Sequence, residues 1–444
     1  MGVLIQHLLS KMKKNNPQLE KKRSIRVNHD APVGKLDRCQ ITGSKNLFEV
    51  IDLGHQPPCD SLLSADMLDQ PETHYPLRLN HCPDSGLAQL DYVVDGSVIY
   101  YPEYPYRSGI SKPLEVYQRA FADGVVKKLG TPKNSLAVDI GSNDGTLLTG
   151  FKRVGMKTLG VEPTNIAKIA RKENRIETIQ SFFTEALAKE IVKDYGHAKI
   201  ATMTNVFAHM APLGEVMRGL SALLDKDGVF ITESQYLLDV LEKNQFDGIY
   251  HEHIRTYSFK SLVALFPYYG MEVFDVERGD RYGGNIRAYA ARKGTRNISK
   301  NVGELLAHED KVGLHKPETW IKWKKRVEKN RLQCMDFLYD AKKKGKRLVG
   351  NSCPGRSATL LNYYGIDTTL MPYVAELPNG LKVGKFLPGK HIPVVSNEIL
   401  FKEQPDYIVL LAWHYSDYMI ADLRKRGIKG KFIVPLPEFK IIDQ

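Results

Sequence analysis

Two hydrophobic periods divide the chain. Over residues 37–100, apolar runs at 47–53 and 87–94 are interrupted by Gly, Pro and Asp, which reads as short strands joined by turns. From residue 112 onward the pattern alternates. Residues 114–129 carry helical spacing and 136–140 form a short apolar strand; further strands are expected at 158–161, 199–204 and 228–232. Such alternation builds a parallel sheet covered by helices. Residues 271–277 and 285–291, turned at Gly283-Gly284, read as a terminal antiparallel pair. Residues 303–345 are helical and charged, with Trp320 and Trp323 on one face. The cationic run 342–347 suits a helix C-terminus capped at Gly345. Strands near 347–350, 369–374, 407–411 and 431–434 make a second alternating unit. The expected organisation is a basic arm (1–36), a small β-rich module (37–100), a Rossmann-like α/β domain (101–300), and a helical connection leading to a second Rossmann-like α/β domain (301–444).

Composition changes this picture little. A chain of 444 residues exceeds what one core supports. Apolar content of 42% and charged content of 26% are those of soluble globular protein, and no apolar run reaches membrane-spanning length. Five cysteines are too few and odd in number for a disulfide framework, which points to a reducing, cytoplasmic setting. The net charge of +12 favours an anionic partner. Part of it lies in the arm, where Lys11, Lys13, Lys14, Lys21, Lys22, Arg23 and Arg26 face only Glu20. A transit peptide, a polyanion-binding tail and solvated disorder all fit the arm, and disorder fits best. Met1-Gly2 hints at myristoylation, but Gln6 stands where that motif needs Ser or Thr.

The most informative segment is Val138-Asp139-Ile140-Gly141-Ser142-Asn143-Asp144-Gly145-Thr146, between a strand and a helix. Glycines at 141 and 145 allow close backbone approach at a strand's end, where open α/β sheets bind ligands. The spacing fits neither the dinucleotide fingerprint nor a phosphate-binding loop. Its acidic and polar groups suit a cationic amino-acid head group, and Glu162, ending the next strand, can accept both hydroxyls of a ribose. The bland alternative is a tight turn with a helix cap. His251-Glu252-His253 is ambiguous by itself: it is not the metal-binding H-E-x-x-H helix, and loop histidines are more often structural.

Taken together, Asp139–Thr146, Gly160-Val161-Glu162-Pro163, Asn205-Val206-Phe207-Ala208-His209, Phe246-Asp247-Gly248-Ile249-Tyr250-His251-Glu252-His253, and the segments 281–287, 355–365 and 387–394 resemble the S-adenosylmethionine (SAM)-dependent C-methyltransferases of nucleotide-linked deoxysugars. The resemblance covers nearly everything after the arm. It implies an N-terminal zinc module, a central methyltransferase domain and a C-terminal Rossmann-like domain. It implies SAM as cofactor, held by Asp139, Gly141, Asn143, Asp144, Gly145, Glu162, Phe183, Asn205 and Tyr106. It implies His253 as the base that removes a proton from C3 of a 4-keto sugar, with Tyr250, Glu252, His209 and Tyr104 holding the substrate or the enolate. A neutral imidazole with a pKa near neutrality suits that role. Arg287, Arg356 and Asn205 are the expected contacts for the nucleotide-diphosphate sugar.

The sequence departs from this family in places. The two Cys-x-x-Cys pairs of its zinc module become Cys39-Gln40-Ile41-Thr42 and Cys82-Pro83-Asp84-Ser85. A structural zinc site needs four good ligands, and Cys59, His55 and His81 have no spacing that compels substitution, so no zinc is expected. Gln235 stands where proline is usual and Tyr282 where histidine is common. Three rivals stay open: a sugar O-methyltransferase on the same scaffold, a nucleic-acid methyltransferase, and a SAM-binding protein without catalysis. The nucleic-acid reading lacks its motifs: Asn205-Val206-Phe207-Ala208 is not Asn/Asp-Pro-Pro-aromatic, and the Pro58-Cys59 pair precedes the cofactor loop. Neither a nucleic-acid nor a membrane partner is expected, and a monomer is compatible with everything above.

Overall fold

The computed structural model describes residues 27–101, 107–110, 112–378 and 380–443; the arm up to residue 26, with Tyr104 and Tyr106, falls outside them. Two small sheets come first. β1 (Gly34–Lys35) pairs with β5 (Tyr92–Val93), and β2 (Phe48–Gln56), β3 (Tyr75–His81) and β4 (Ala88–Leu90) form an antiparallel meander. The run expected as one strand over 87–94 divides at Asp91, which turns aside to accept from Arg78 Nη1 at 3.0 Å. β3 escaped the sequence reading because Pro76 argues against a strand. Pro76 sits at the strand's end, and beyond it Leu77 and Leu79 point into the core while Arg78 and Asn80 do not.

The central sheet has seven strands: β6 (Leu136–Ile140), β7 (Lys157–Val161), β8 (Thr178–Ile179), β9 (Ala198–Thr204), β10 (Leu224–Gln235), β12 (Met271–Gly279) and β13 (Asn285–Arg292). Their order is β12-β13-β10-β9-β6-β7-β8. β6 to β10 are parallel, and β13 enters antiparallel between β10 and β12. The strand order reverses between β6 and β9, which places a ligand crevice at their carboxyl ends. β11 (Arg255–Thr256) leaves this domain and adds to β4, Arg255 opposite Gln89 and Thr256 opposite Ala88. The loop before β11, carrying His251 to His253, is therefore fixed by the N-terminal module.

The stretch expected to be helical, 303–345, holds two helices, Lys300–Val312 and Pro317–Lys343, parted at Gly313. Trp320 and Trp323 are both buried, and Trp323 Nε1 donates to the Val240 carbonyl at 3.1 Å. The last sheet runs β16 (Val394–Ser396), β15 (Val374–Glu376), β14 (Leu348–Asn351), β17 (Tyr407–Leu410), β18 (Lys431–Val434) and β19 (Lys440–Ile442), parallel except for β19. β16 and β19 were not anticipated; each is only three residues long. The molecule is thus α/β, with a central Rossmann-like domain between a small β-rich module and a second Rossmann-like domain. One hydrophobic cluster includes Ile51, Met203, Trp323 and Val349, so the parts share a core. Among the described residues no helix is long and apolar enough to cross a membrane.

Candidate active site

The loop after β6 is shaped by its neighbours. Gly141 has φ +71°, and a Cβ there would come within 2.5 Å of Val206, so only glycine lets the loops after β6 and β9 pack together. The Asn143 backbone amide donates to Glu162 Oε2 at 3.0 Å, while Glu162 Oε1 accepts from the Thr164 amide and hydroxyl at 2.9 and 2.7 Å. Glu162 is thereby pinned at the end of β7. Asp144, just before the N-cap Gly145 of the helix Thr146–Arg153, accepts from the Thr146 amide and hydroxyl, and its other oxygen accepts from the Gly109 amide and Arg107 Nε. Asn143 Oδ1 accepts from the Ser108 amide at 2.9 Å. The segment that follows Tyr104 and Tyr106 is thus tied directly to the loop.

Asp139 lies within β6 and accepts from the Thr202 hydroxyl at 2.6 Å; burial pushes its carboxyl up to about 7. Phe183 is buried, its ring set against Gly219 beside the helix Leu213–Leu223. Asn205, at φ +57°, follows β9, and its buried Nδ2 has no hydrogen-bond partner among the described residues. The buried Ser142 Oγ is likewise unpartnered among them. Unpaired buried donors of this kind fit a ligand. Ser142, Glu162 and Asn205 follow or end β6, β7 and β9 and so would hold SAM, which when bound supplies a methyl on an electrophilic sulfonium.

The second group of residues forms a cluster. Nδ1 of His253 donates to the Gly248 carbonyl at 2.9 Å, which leaves Nε2 to accept from the Tyr250 hydroxyl at 2.8 Å. The two rings lie 4.0 Å apart, and the His209 ring is 5.0 Å from that of His253. Burial lowers His253 to about 4, so this ring is neutral because it is dry and not because its pKa is near neutrality. Burial, with His253 next, also lowers His209, whose Nε2 has no hydrogen-bond partner among the described residues. Burial, then Glu252, raises Tyr250 well above its usual range. Gln235 packs on the same turn: a Cβ at Gly248 would fall 1.9 Å from its Nε2.

Both arginines expected at the substrate have protein partners. Arg287 donates to Glu233 Oε2 through Nε and Nη2 at 2.9 and 2.7 Å. Arg356, on the C-terminal domain, grips Asp247 at 2.8 and 2.6 Å and donates to the Tyr282 carbonyl at 2.9 Å. Asp247 also accepts from Trp413 Nε1 at 2.8 Å. Asp247 sits within a segment quoted for the family, but nothing local in the sequence marks it as the partner of Arg356.

The N-terminal module keeps two knuckle-like turns. Gly43 and Gly86 amides donate to the Cys39 and Cys82 carbonyls, each at 2.8 Å. Cys39 Sγ lies 3.2 Å from Ser85 Oγ, and Thr42 Oγ1 is 3.9 Å from Cys82 Sγ. The Cys82 thiol and hydroxyl donors hold Cys39 below the usual thiol range. Two thiols and two neutral hydroxyls are a poor zinc set. Of the other candidates, His81 pairs with His315 at 3.2 Å, Cys59 faces Glu252, and His55 is exposed. Cys59, weighed from the sequence only as a zinc ligand, and its neighbour Asp60 lie beside Glu252; only the adjacent Pro57-Pro58 turn signals a special backbone there.

Comparison with known proteins gives the family of the chain. Family models match along the chain in order: a proposed zinc binding domain over residues 39–100, a methyltransferase domain over 114–276 and a C-methyltransferase C-terminal domain over 280–437. C-methyltransferase NovU of Streptomyces niveus is 33% identical over 415 residues, covering 93% of this chain and 98% of its own. Solved structures that align include a SAM-dependent methyltransferase from Anabaena variabilis (16% identity, TM-score 0.33, 40% of this chain and 86% of that one). The PH0226 protein from Pyrococcus horikoshii also aligns (13%, TM-score 0.34, 44% and 98%). The chain belongs to the C-methyltransferase family and is a SAM-dependent C-methyltransferase.

Proposed function

We propose that the methyl group goes to a ring carbon, C3, of a nucleotide-linked 4-keto-deoxyhexose, through an enolate formed by His253. The observation that carries this reading is the dry pair of His253 and Tyr250 beside the unpartnered Nε2 of His209. A ketone acidifies the hydrogen on the adjacent carbon, and a neutral imidazole can take it. Charge then builds on the ketone oxygen, where the Tyr250 hydroxyl and an N–H of His209 are donors of the right kind. The fixed Nδ1–H of His253 keeps Nε2 aimed at the C3 proton; once that proton is on Nε2, the enolate carbon would take the methyl from SAM, whose sulfur keeps the C–S electron pair and leaves as a neutral thioether. Glu252 lies beside the base and offers the substrate a carboxylate.

A nucleotide diphosphate accounts for the positive charge of the chain. The reading does not depend on Arg287 or Arg356, whose buried ion pairs are internal. Tyr282, His414 and Tyr415 gather aromatic rings where the two α/β domains meet: Tyr282 lies 6.0 Å from His414 and 6.4 Å from Tyr415. The module is held without zinc, through its own packing and the knuckle contacts of Cys39 and Cys82. The test is to incubate the protein with SAM and a panel of nucleotide-linked 4-ketohexoses and to read product mass and the carbon that carries the methyl. A methyl on oxygen, or none on any ketosugar while SAM binds, would remove the proposal.

A further inference from the structure

We infer that Cys59 is a positioning residue for this reaction, an S–H donor that the N-terminal module inserts into the active site to hold the Glu252 carboxylate. The inference rests on the assignment of Glu252 and His253 made above.

Cys59 follows the Pro57-Pro58 turn after β2 and is 3% exposed. Its Sγ lies 3.6 Å from Glu252 Oε1. Burial, then Glu252, raises the thiol well above its usual range, so the sulfur carries its proton and donates. The turn is clamped from two further sides. Asp60 Oδ1 meets Lys382 Nζ of the C-terminal domain at 2.5 Å, and the Asp60 carbonyl accepts from the Tyr101 hydroxyl at 2.8 Å. A Cβ at Gly355 would sit 3.2 Å from Cys59 Sγ and 3.0 Å from Asp60 Oδ2, so the turn rests directly on that glycine.

Cys59, Asp60 and Glu252 offer three ligand atoms within 4.8 Å of one another, a grouping that could suit a cation. The Lys382 ammonium already supplies positive charge there, which leaves the thiol a directional task. It fixes one oxygen of Glu252 without adding charge. The module therefore serves the site in two ways: β4 holds the loop through β11, and Cys59 holds the carboxylate.

Two measurements test this. In infrared spectra of the full-length protein, the S–H stretch identified by its loss in Cys59→Ser moves to higher frequency in Glu252→Gln. A band that stays in place overturns the contact without any substrate being needed. In turnover of the nucleotide-linked 4-ketohexose, Cys59→Ala lowers kcat about tenfold with KM little changed, and Cys59→Ser, which retains a donor, recovers most of it. Equal rates for the Ala and Ser variants, or a change confined to KM, overturn the inference. If His253→Ala keeps its activity, the reading of the site fails and this inference with it. If His253→Ala is dead while Cys59→Ala matches wild type, only this inference fails.

Discussion

The Tyr250 hydroxyl donates to His253 Nε2 at 2.8 Å while Nδ1 of the same ring is engaged by the Gly248 carbonyl. In the resting site the nitrogen proposed to take the substrate proton is thus capped by the hydroxyl proposed to meet the developing oxyanion. Under the proposed mechanism, substrate binding would exchange one contact for two, the phenol turning to the ketone oxygen and Nε2 facing the ring hydrogen. Tyr250→Phe should fold normally and still accept a proton at His253, but lose about a hundredfold in kcat for want of the donor. Steady-state kinetics beside a thermal melt check this; an unchanged kcat contradicts it.

Arg356 and Asp247 join the C-terminal domain to the methyltransferase domain through two hydrogen bonds in a buried setting. Removing the cation leaves Asp247 with Trp413 as its main remaining donor. Arg356→Ala should cost about 3–5 kcal/mol in denaturant unfolding, the usual loss when one member of a buried pair is removed. Arg356→Lys should not restore it, because an ammonium cannot match both carboxylate oxygens in one plane.

The buried histidines set an acid limit. Burial lowers His251 and His253 to about 4, and lowers His81 and His209 well below their usual value. Between pH 6.5 and 4 the unfolded chain binds protons that the folded chain does not. Stability is therefore full above pH 6.5 and falls as pH drops through that window. His251 donates to the Pro76 carbonyl at 3.2 Å, a contact that glutamine can reproduce. His251→Gln should flatten the decline by on the order of 3 kcal/mol, read from unfolding at stepped pH. An unchanged slope would contradict the assignment.

Metal removal should have no effect on the N-terminal module. The Cys39, Thr42, Cys82 and Ser85 set offers only two thiols. Dialysis against a strong chelator is expected to leave the melting temperature unchanged, and elemental analysis to find no stoichiometric zinc. A chelator-dependent loss of stability would reverse this view of the module.

How far the sequence could be read depended on distance along the chain. The loop from Gly141 to Gly145 and the carboxylate of Glu162 were legible because one strand, one turn and the next strand end make them. The turn into the helix was legible as an alternative too, since the Asp144 that binds Thr146 is only two residues away. Other features come from segments far apart in sequence. The pairing of β11 with β4, the grip of Arg356 on Asp247 and the approach of Cys59 to Glu252 carry no local pattern. The pKa of His253 was misjudged for the same reason, because the burial that lowers it comes from tertiary packing. Short strands such as Val394–Ser396 were missed because three residues give no measurable period.

The most direct measurement is proton exchange at the sugar ring in deuterated water without SAM. Incubation of the wild-type protein with a nucleotide-linked 4-ketohexose should place deuterium at C3, and His253→Ala should abolish that exchange while still binding SAM. Exchange that persists in His253→Ala, or methyl transfer by the wild type with no exchange at carbon, would contradict base-catalysed enolate formation at this site.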